Sequence, residues 1–281
     1  MKFSYYPGCS LHATGREYDE SLKAVARAFG IDLFEVDDWS CCGASSAHMT
    51  NRNLSVALPA RNLVAAEKAG RELMVPCAAC FNRLRAAQHE LAADAGLKGE
   101  VEAAVGGKYG GGPEVRNPID IFAADVGLDR IRDVVKRPLA GLRPVAYYGC
   151  LLVRPREVCG FEDPENPVLL DRLMASLGAE AKPWSFKTDC CGGSFTISKT
   201  GAVVRLVDRL MRMAREAGAN CVVTACPVCM ANLDLRASES LRLPVFYFTE
   251  LMALALGLRG TDGWFAGHNV DPRPLLRAAH L

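Results

Sequence analysis

The 281-residue sequence has no run approaching the roughly 18 apolar residues that a bilayer-crossing helix needs, so a membrane-spanning protein is not expected. It also lacks an excess of either charge. Lys and Arg number 33 against 32 Asp and Glu, leaving +1, and nucleic acid or an acidic membrane surface would require a sustained basic excess. No N-terminal stretch joins a basic start to an apolar segment and a small-residue cleavage site, so a cytoplasmic location is expected. The Gly-x-Gly-x-x-Gly fingerprint is missing, so flavin or nicotinamide binding through that motif is not expected. Between Lys98 and Pro118, Gly106-Gly107 and Gly110-Gly111-Gly112 lack the preceding buried strand and following Lys-Ser/Thr of a phosphate loop, and the stretch reads as a flexible surface loop. Half of the residues are hydrophobic, enough for two compact domains with apolar cores.

Cysteine is the residue in surplus. Ten of the twelve fall into two copies of one pattern: Cys9, Cys41-Cys42-Gly43 and Cys77-x-x-Cys80, then Cys150, Cys190-Cys191-Gly192 and Cys226-x-x-Cys229. In both copies 34 residues separate the adjacent pair from the Cys-x-x-Cys. From lone cysteine to pair the interval is 31 residues in the first copy and 39 in the second, which places an insertion of eight in the second. Flanking residues repeat too, with Tyr5-Tyr6-Pro7-Gly8 before Cys9 and Tyr147-Tyr148-Gly149 before Cys150. A reducing cytosol disfavours structural disulfides, and disulfide scaffolds are usually small, so metal binding or redox chemistry is the reading of these thiols.

Hydrophobic periodicity places the cysteines on the fold. Leu22, Val25 and Phe29 lie at helical spacing before Gly30; Ile31–Val36 alternates as a strand leading to Cys41; an Ala- and Leu-rich helix from Asn53 to Lys68 precedes a short buried strand, Leu73-Met74-Val75, and Cys77-x-x-Cys80 opens another helix. The second half repeats the order, with Val145–Tyr148 before Cys150, helices from Val168 to Leu177 and from Gly201 to Ala217, and Cys221–Thr224 leading to Cys226. Val115–Phe122 and Val245–Met252 form matching tails. Each half therefore reads as strand, helix, strand, helix, strand, helix: an α/β protein of two pseudo-symmetric repeats, 1–140 and 141–281, each a small parallel sheet with flanking helices, joined near Arg137–Arg143. In open parallel sheets ligands gather beyond the carboxyl ends of strands, where all three cysteine groups of each copy are expected, giving one metal centre per repeat.

Five thiols per set exceed the four that zinc takes, and they exceed the four of a standard iron-sulfur cubane as well. The segments CCGASSA, CCGGSFT, CAACFNRL and CPVCMANLD, together with VFYFTELMALALGL and the ending HNVDPRPLL, resemble the HdrB component of heterodisulfide reductase, a protein of the CCG superfamily, over nearly the whole chain. The resemblance implies that Cys9, Cys41, Cys42, Cys77 and Cys80 hold one noncubane [4Fe-4S] cluster and Cys150, Cys190, Cys191, Cys226 and Cys229 a second, the two facing each other across the domain interface. It implies cleavage or formation of a disulfide or sulfane-sulfur bond between them, without a separate acid or base residue. It also implies an HdrC-like protein of ferredoxin type and an HdrA-like flavoprotein as partners. The substrate stays open between the coenzyme M–coenzyme B disulfide and sulfur on a lipoate-carrying protein. Arg in excess of Lys and abundant Ala lean toward the bacterial sulfur-oxidising branch, whose relatives use the lipoate carrier. An alternative is a noncatalytic electron-transfer CCG protein of a 2-hydroxy-acid oxidase or quinone-linked complex. A structural zinc or cubane protein is a third reading, disfavoured by the fifth cysteine.

Other candidates have plainer readings. Cys221 belongs in an apolar strand as a core residue, and Cys159 in the insertion as a surface or interface thiol. His48 and His12 are better read as solvent-facing or capping than as partners of a cluster. Lys199, Arg154 and Arg156 read as surface charges rather than anchors for an anionic substrate. The Tyr5-Tyr6 and Tyr147-Tyr148 pairs suit core packing, and Trp264 and Phe265 suit a core satellite or a partner-binding tail equally.

Overall fold

The structure, a computed structural model, describes residues 1–44 and 47–281; Ser45, Ser46 and the His48 side chain lie outside the described residues. Each repeat builds one parallel sheet. The first contains β1 (Lys2–Tyr5), β2 (Asp32–Glu35), β3 (Leu73–Met74) and β4 (Val115–Arg116) in the order β2-β1-β3-β4. The second contains β5 (Pro144–Tyr147), β6 (Cys221–Thr224) and β7 (Val245–Tyr247) in the order β5-β6-β7. Parallel neighbours require crossovers, and helices supply them. The Arg16–Ala28 helix buries Tyr18, Leu22, Val25 and Ala26 at helical spacing, and Gly30 turns the chain into β2 at φ +70°. The Arg52–Glu67 helix starts at Asn51, whose side chain accepts the Leu54 N–H at 2.9 Å. In the second repeat, Thr200–Glu216 buries Val203, Val207, Leu210, Met211 and Ala214 in the same manner.

Two expectations from sequence are corrected. Among the described residues the second repeat has no counterpart of β2, because the rung that the Trp184 backbone N–H would supply after those of Glu180 and Lys182 is not made. Glu180 and Lys182 still donate to the carbonyls of Leu142 and Pro144 at 3.0 and 2.8 Å, but the next carbonyl, that of Ala146, is taken by the Trp184 indole N–H at 2.9 Å. The segment runs beside β5 with a side chain substituting for a backbone rung. The stretch from Lys98 to Pro118 is also more ordered than a loose loop. Ala95–Val105 is a helix, started by the Asp94 carboxylate and closed by Gly106 at φ +68°. Beyond it, Glu67 accepts the N–H groups of Gly110 and Gly112 at 2.9 and 3.0 Å, so these glycines clasp a carboxylate of their own chain.

The repeats interlock reciprocally. The Arg16–Ala28 helix of the first packs on Phe248–Ala255 of the second, with a buried Ser21–Thr249 hydroxyl contact of 2.7 Å. In return Leu169–Ser176 of the second packs on the Pro118–Asp120 turn of the first. The insertion in the second repeat forms a short helix, Arg156–Cys159, that lies on the Ala78–Ala93 helix of the first. Asn82 fastens it by donating to the carbonyls of Leu151 and Arg154 at 3.1 and 2.8 Å. A buried side-chain amide with two carbonyl partners holds such a crossing in one register.

Candidate functional site

Each cysteine group follows the carboxyl end of a strand or of the segment in its place. Cys9 follows β1, Cys41 and Cys42 follow β2, and Cys77 follows β3; Cys150 follows β5 and Cys226 follows β6. Cys77 and Cys226 each cap the helix that carries the second cysteine of the motif, Ala78–Ala93 and Pro227–Arg236. That position aims helix N-terminal N–H groups at the sulfurs, which favours thiolate.

Glycine permits the close approach. Gly8 and Gly149 both sit at positive φ, +69° and +70°, where an added Cβ would lie 2.9 Å from the Cys80 sulfur and 3.0 Å from the Cys229 sulfur. Only a residue without a side chain admits the lone-cysteine loop so near the Cys-x-x-Cys helix. Beside each glycine a tyrosine hydroxyl pins the approach to the adjacent pair. Tyr6 donates to the Ser40 carbonyl at 2.7 Å, and Tyr147 donates to the Asp189 carbonyl at 2.6 Å. Each acceptor is the residue just before the pair.

Within the sets, sulfurs lie in touching pairs. Cys42 and Cys80 are 3.3 Å apart and Cys191 and Cys229 3.7 Å apart, while Gly43 N–H and Gly192 N–H reach Cys41 and Cys190 sulfur at 3.4 and 3.3 Å. Proton sharing makes some thiols acidic at their neighbours' expense. Hydrogen bonds from Cys41 and then Cys80 hold Cys42 down to about 3, and Cys41 and Cys80 rise in consequence. In the second set a hydrogen bond from Cys150 lowers Cys190 to about 6, and hydrogen bonds from Cys229 and Cys77 hold Cys226 well below its ordinary value. Thiolate is the metal-binding form.

The two sets meet. The sulfurs of Cys77 and Cys226, from different repeats, are near enough for each to shift the other's hold on its proton, raising Cys77 and lowering Cys226. Tyr18 spans the same seam: its hydroxyl lies 3.4 Å from both the Pro76 and the Ala225 carbonyl, the residues preceding those cysteines. Its ring stacks on Tyr247 at 4.3 Å between centroids. From this buried centre the sets run outward, since the Cys-x-x-Cys sulfurs, Cys42 and Cys191 are buried while Cys9, Cys41 and Cys190 are exposed and Cys150 is half-buried. Among the described residues no three His, Cys, Asp or Glu side chains are arranged to hold a single metal ion. The donors gathered on each side are sulfurs in a glycine-lined cradle, a set suited to a thiophilic group that brings its own bridging atoms.

The remaining candidates lie elsewhere. Cys221 is fully buried in β6, where burial pushes its thiol up to about 12. Cys159 ends the insertion's short helix and is buried against the first repeat, where burial pushes it up to about 11, and Asn82 donates to its sulfur at 3.4 Å. His12 is exposed, 3.1 Å from Glu35 and edge-on to Trp39. Arg154 is clamped to Glu165 and to Thr188, whereas Arg156 and Lys199 are exposed. Trp264 and Phe265 are buried, and the Trp264 indole donates to Glu20 at 2.9 Å, so they belong to the core. Tyr6, Tyr18 and Tyr147 do more than fill the core. The repeated tyrosine three places before each lone cysteine was a signal in the sequence; Tyr18, outside the repeat, left none.

Comparisons with known proteins agree with this duplication. Residues 3–85 and 145–234 each match the CCG family, a cysteine-rich domain. The chain is 32% identical over 267 residues to the 8-methylmenaquinol:fumarate reductase membrane anchor subunit of Wolinella succinogenes, covering 92% of this chain and 93% of that one. It is 29% identical over 292 residues to a protein of Archaeoglobus profundus named as like the B component of heterodisulfide reductase, covering 97% and 96%. Among solved structures, a hypothetical protein from Helicobacter pylori superposes with a TM-score of 0.72 at 10% identity over 95% of this chain, which shows a shared fold; the chain spans 51% of that protein's length. Among the described residues no helix is long and apolar enough to cross a membrane.

Proposed function

The chain belongs to the cysteine-rich CCG domain family, and from that membership we propose that it is the catalytic iron-sulfur subunit of a heterodisulfide-reductase-like complex, cleaving or forming a disulfide or sulfane-sulfur bond. Similarity to the HdrB-like protein of Archaeoglobus profundus supports an oxidoreductase-type component of a larger assembly. In this reading the first repeat, 1–140, holds a noncubane [4Fe-4S] cluster through Cys9, Cys41, Cys42, Cys77 and Cys80, and the second, 141–281, holds another through Cys150, Cys190, Cys191, Cys226 and Cys229. Bound there, such a pair of clusters supplies two one-electron deliveries to one sulfur–sulfur bond. The protein's own residues supply position: Gly8 and Gly149 admit the sulfurs, Tyr6 and Tyr147 fix the adjacent pairs, and Tyr18 ties the two Cys-x-x-Cys motifs together.

The proximity of Cys77 and Cys226 carries the reading, because a two-electron bond cleavage split into halves needs both centres at one place. Electrons enter from an HdrC-like ferredoxin-type protein fed by an HdrA-like flavoprotein, since the sequence has no nucleotide fingerprint of its own. A mixed disulfide or a lipoate-borne sulfur is the substrate class. Twelve free thiols suit a reducing compartment such as the cytoplasm.

A second reading has an observation of its own. The relative at 32% identity is named for a quinol-linked reductase, which favours an electron-transfer protein that passes electrons toward a quinone pool. Reoxidation kinetics separate the two. Anaerobically reduced protein mixed with an asymmetric organic disulfide should reoxidise with release of two thiols, faster than with a quinone analogue; rapid oxidation by the quinone and none by any disulfide would establish the second reading.

A further inference from the structure

The two repeats match sulfur for sulfur, but the fixed charges beside the sulfurs do not match. The third residue after the Cys-x-x-Cys is Arg83 in the first repeat and Asn232 in the second. Both lie on the helix that carries the second cysteine of that motif, about one turn beyond it. Asn232 is buried and neutral, and its amide donates to the Cys191 carbonyl at 3.0 Å and reaches the Cys191 sulfur at 3.8 Å. Arg83 sits half-buried at the equivalent position of the Ala78–Ala93 helix, and among the described residues no carboxylate pairs with it; its hydrogen bond goes to the neutral Asn82 side chain at 2.8 Å.

A second difference has the same sense. The residue before the adjacent pair is Ser40 in the first repeat and Asp189 in the second. Both backbone carbonyls accept the equivalent tyrosine hydroxyl, so the two side chains stand at equivalent places, one neutral and one anionic. The second site does have a nearby cation, Arg154, but Glu165 clamps it in an ion pair and Asp189 lies within range of it as well. Arg83 is thus left without a carboxylate partner among the described residues, whereas Arg154 has two carboxylates near it.

Reduction adds negative charge to an iron-sulfur centre, so a nearby cation raises its potential and an anion lowers it. We propose that the two sites are held at unequal reduction potentials, the first repeat's the higher, with Arg83 and Asp189 as the residues that set the difference. This rests on the two-cluster reading above. An electron delivered to the pair then settles first on the site of Cys42, and the two halves of the reaction proceed in a fixed order.

The test is a potentiometric titration of anaerobically loaded full-length protein after its iron has been counted, with Cys42→Ser and Cys191→Ser preparations identifying each site's signal. Wild type should show two separate waves. Arg83→Gln should lower only the first-repeat wave, by about tenfold in the reduced-to-oxidised ratio at fixed potential, or 59 mV for a one-electron couple. Arg83→Lys should restore most of that shift, and Asp189→Asn should raise only the second-repeat wave. Coincident waves in wild type, or equal shifts from Arg83→Gln and Arg83→Lys, overturn the inequality while leaving the cluster reading intact. A protein that takes up no iron removes both together.

Discussion

At the scale of single residues, the positions that matter most are those where one atom decides whether sulfurs can gather. Gly8→Ala would need an L side chain at φ +69° and would press a Cβ to 2.9 Å from the Cys80 sulfur. The backbone strain alone is about 1–2 kcal/mol. We expect chemical unfolding to show that loss and iron uptake to fall to about half, with Gly149→Ala behaving alike through Cys229. Retention of full iron in both variants would mean that these loops do not border the site. Tyr18→Phe removes a hydroxyl whose two contacts are long, so a loss near the lower end of about 0.5–1.5 kcal/mol is expected. Tyr18→Ala also removes the ring stacked on Tyr247 and should cost about 3–5 kcal/mol, measured by the same unfolding. The spacing of ten cysteines was legible because a repeat is a pattern within the sequence. The role of Tyr18 was not legible, because its hydroxyl meets carbonyls 58 and 207 residues away, and no local pattern encodes that meeting.

At the scale of elements, the sequence-based outline of helices and strands holds where apolar periodicity was strong, as in Arg16–Ala28, Thr200–Glu216 and Cys221–Thr224. It fails where tertiary contacts decide. The strand expected before Cys190 is replaced by a segment in which the Trp184 indole, not its backbone N–H, supplies the rung after Lys182. The glycine-rich stretch expected to be loose is held by Glu67. The insertion in the second repeat, visible in the sequence only as eight extra residues, acts as a clasp between repeats. Asn82→Ala would leave the Leu151 and Arg154 carbonyls only the weakly donating Cys159 thiol and should cost about 1–3 kcal/mol. Limited proteolysis should then cut within the insertion well before the rest of the chain. Wild-type resistance in that variant would show that the clasp does not depend on the amide.

At the scale of the whole molecule, a buried acid–histidine pair ties the C-terminal segment to the core. His268 lies 2.9 Å from Glu250, both fully buried, and Asp234 anchors the next two residues by accepting the Asn269 and Val270 N–H groups. Burial works against a proton on His268, but the hydrogen bond and charge of Glu250, with Asp234 and Glu17 beyond, outweigh it and raise the pKa. A pKa above the unfolded value of about 6.5 means that this contribution to stability is complete below that pH and disappears as pH rises through the folded-state pKa. The stability gap between wild type and His268→Gln, followed by denaturant unfolding across pH, should therefore narrow as pH rises above that value. A gap that stays constant or widens would contradict the assignment of charge.

The interlocked repeats bring their two Cys-x-x-Cys motifs to one seam, and the proposed chemistry needs both cysteine sets to be occupied. Iron and acid-labile sulfide counted in anaerobically prepared wild type, Cys42→Ser, Cys191→Ser and the double variant test this most directly. About eight irons in wild type, about four in each single variant and none in the double variant are predicted. Zinc in place of iron, or eight irons in either single variant, would contradict it.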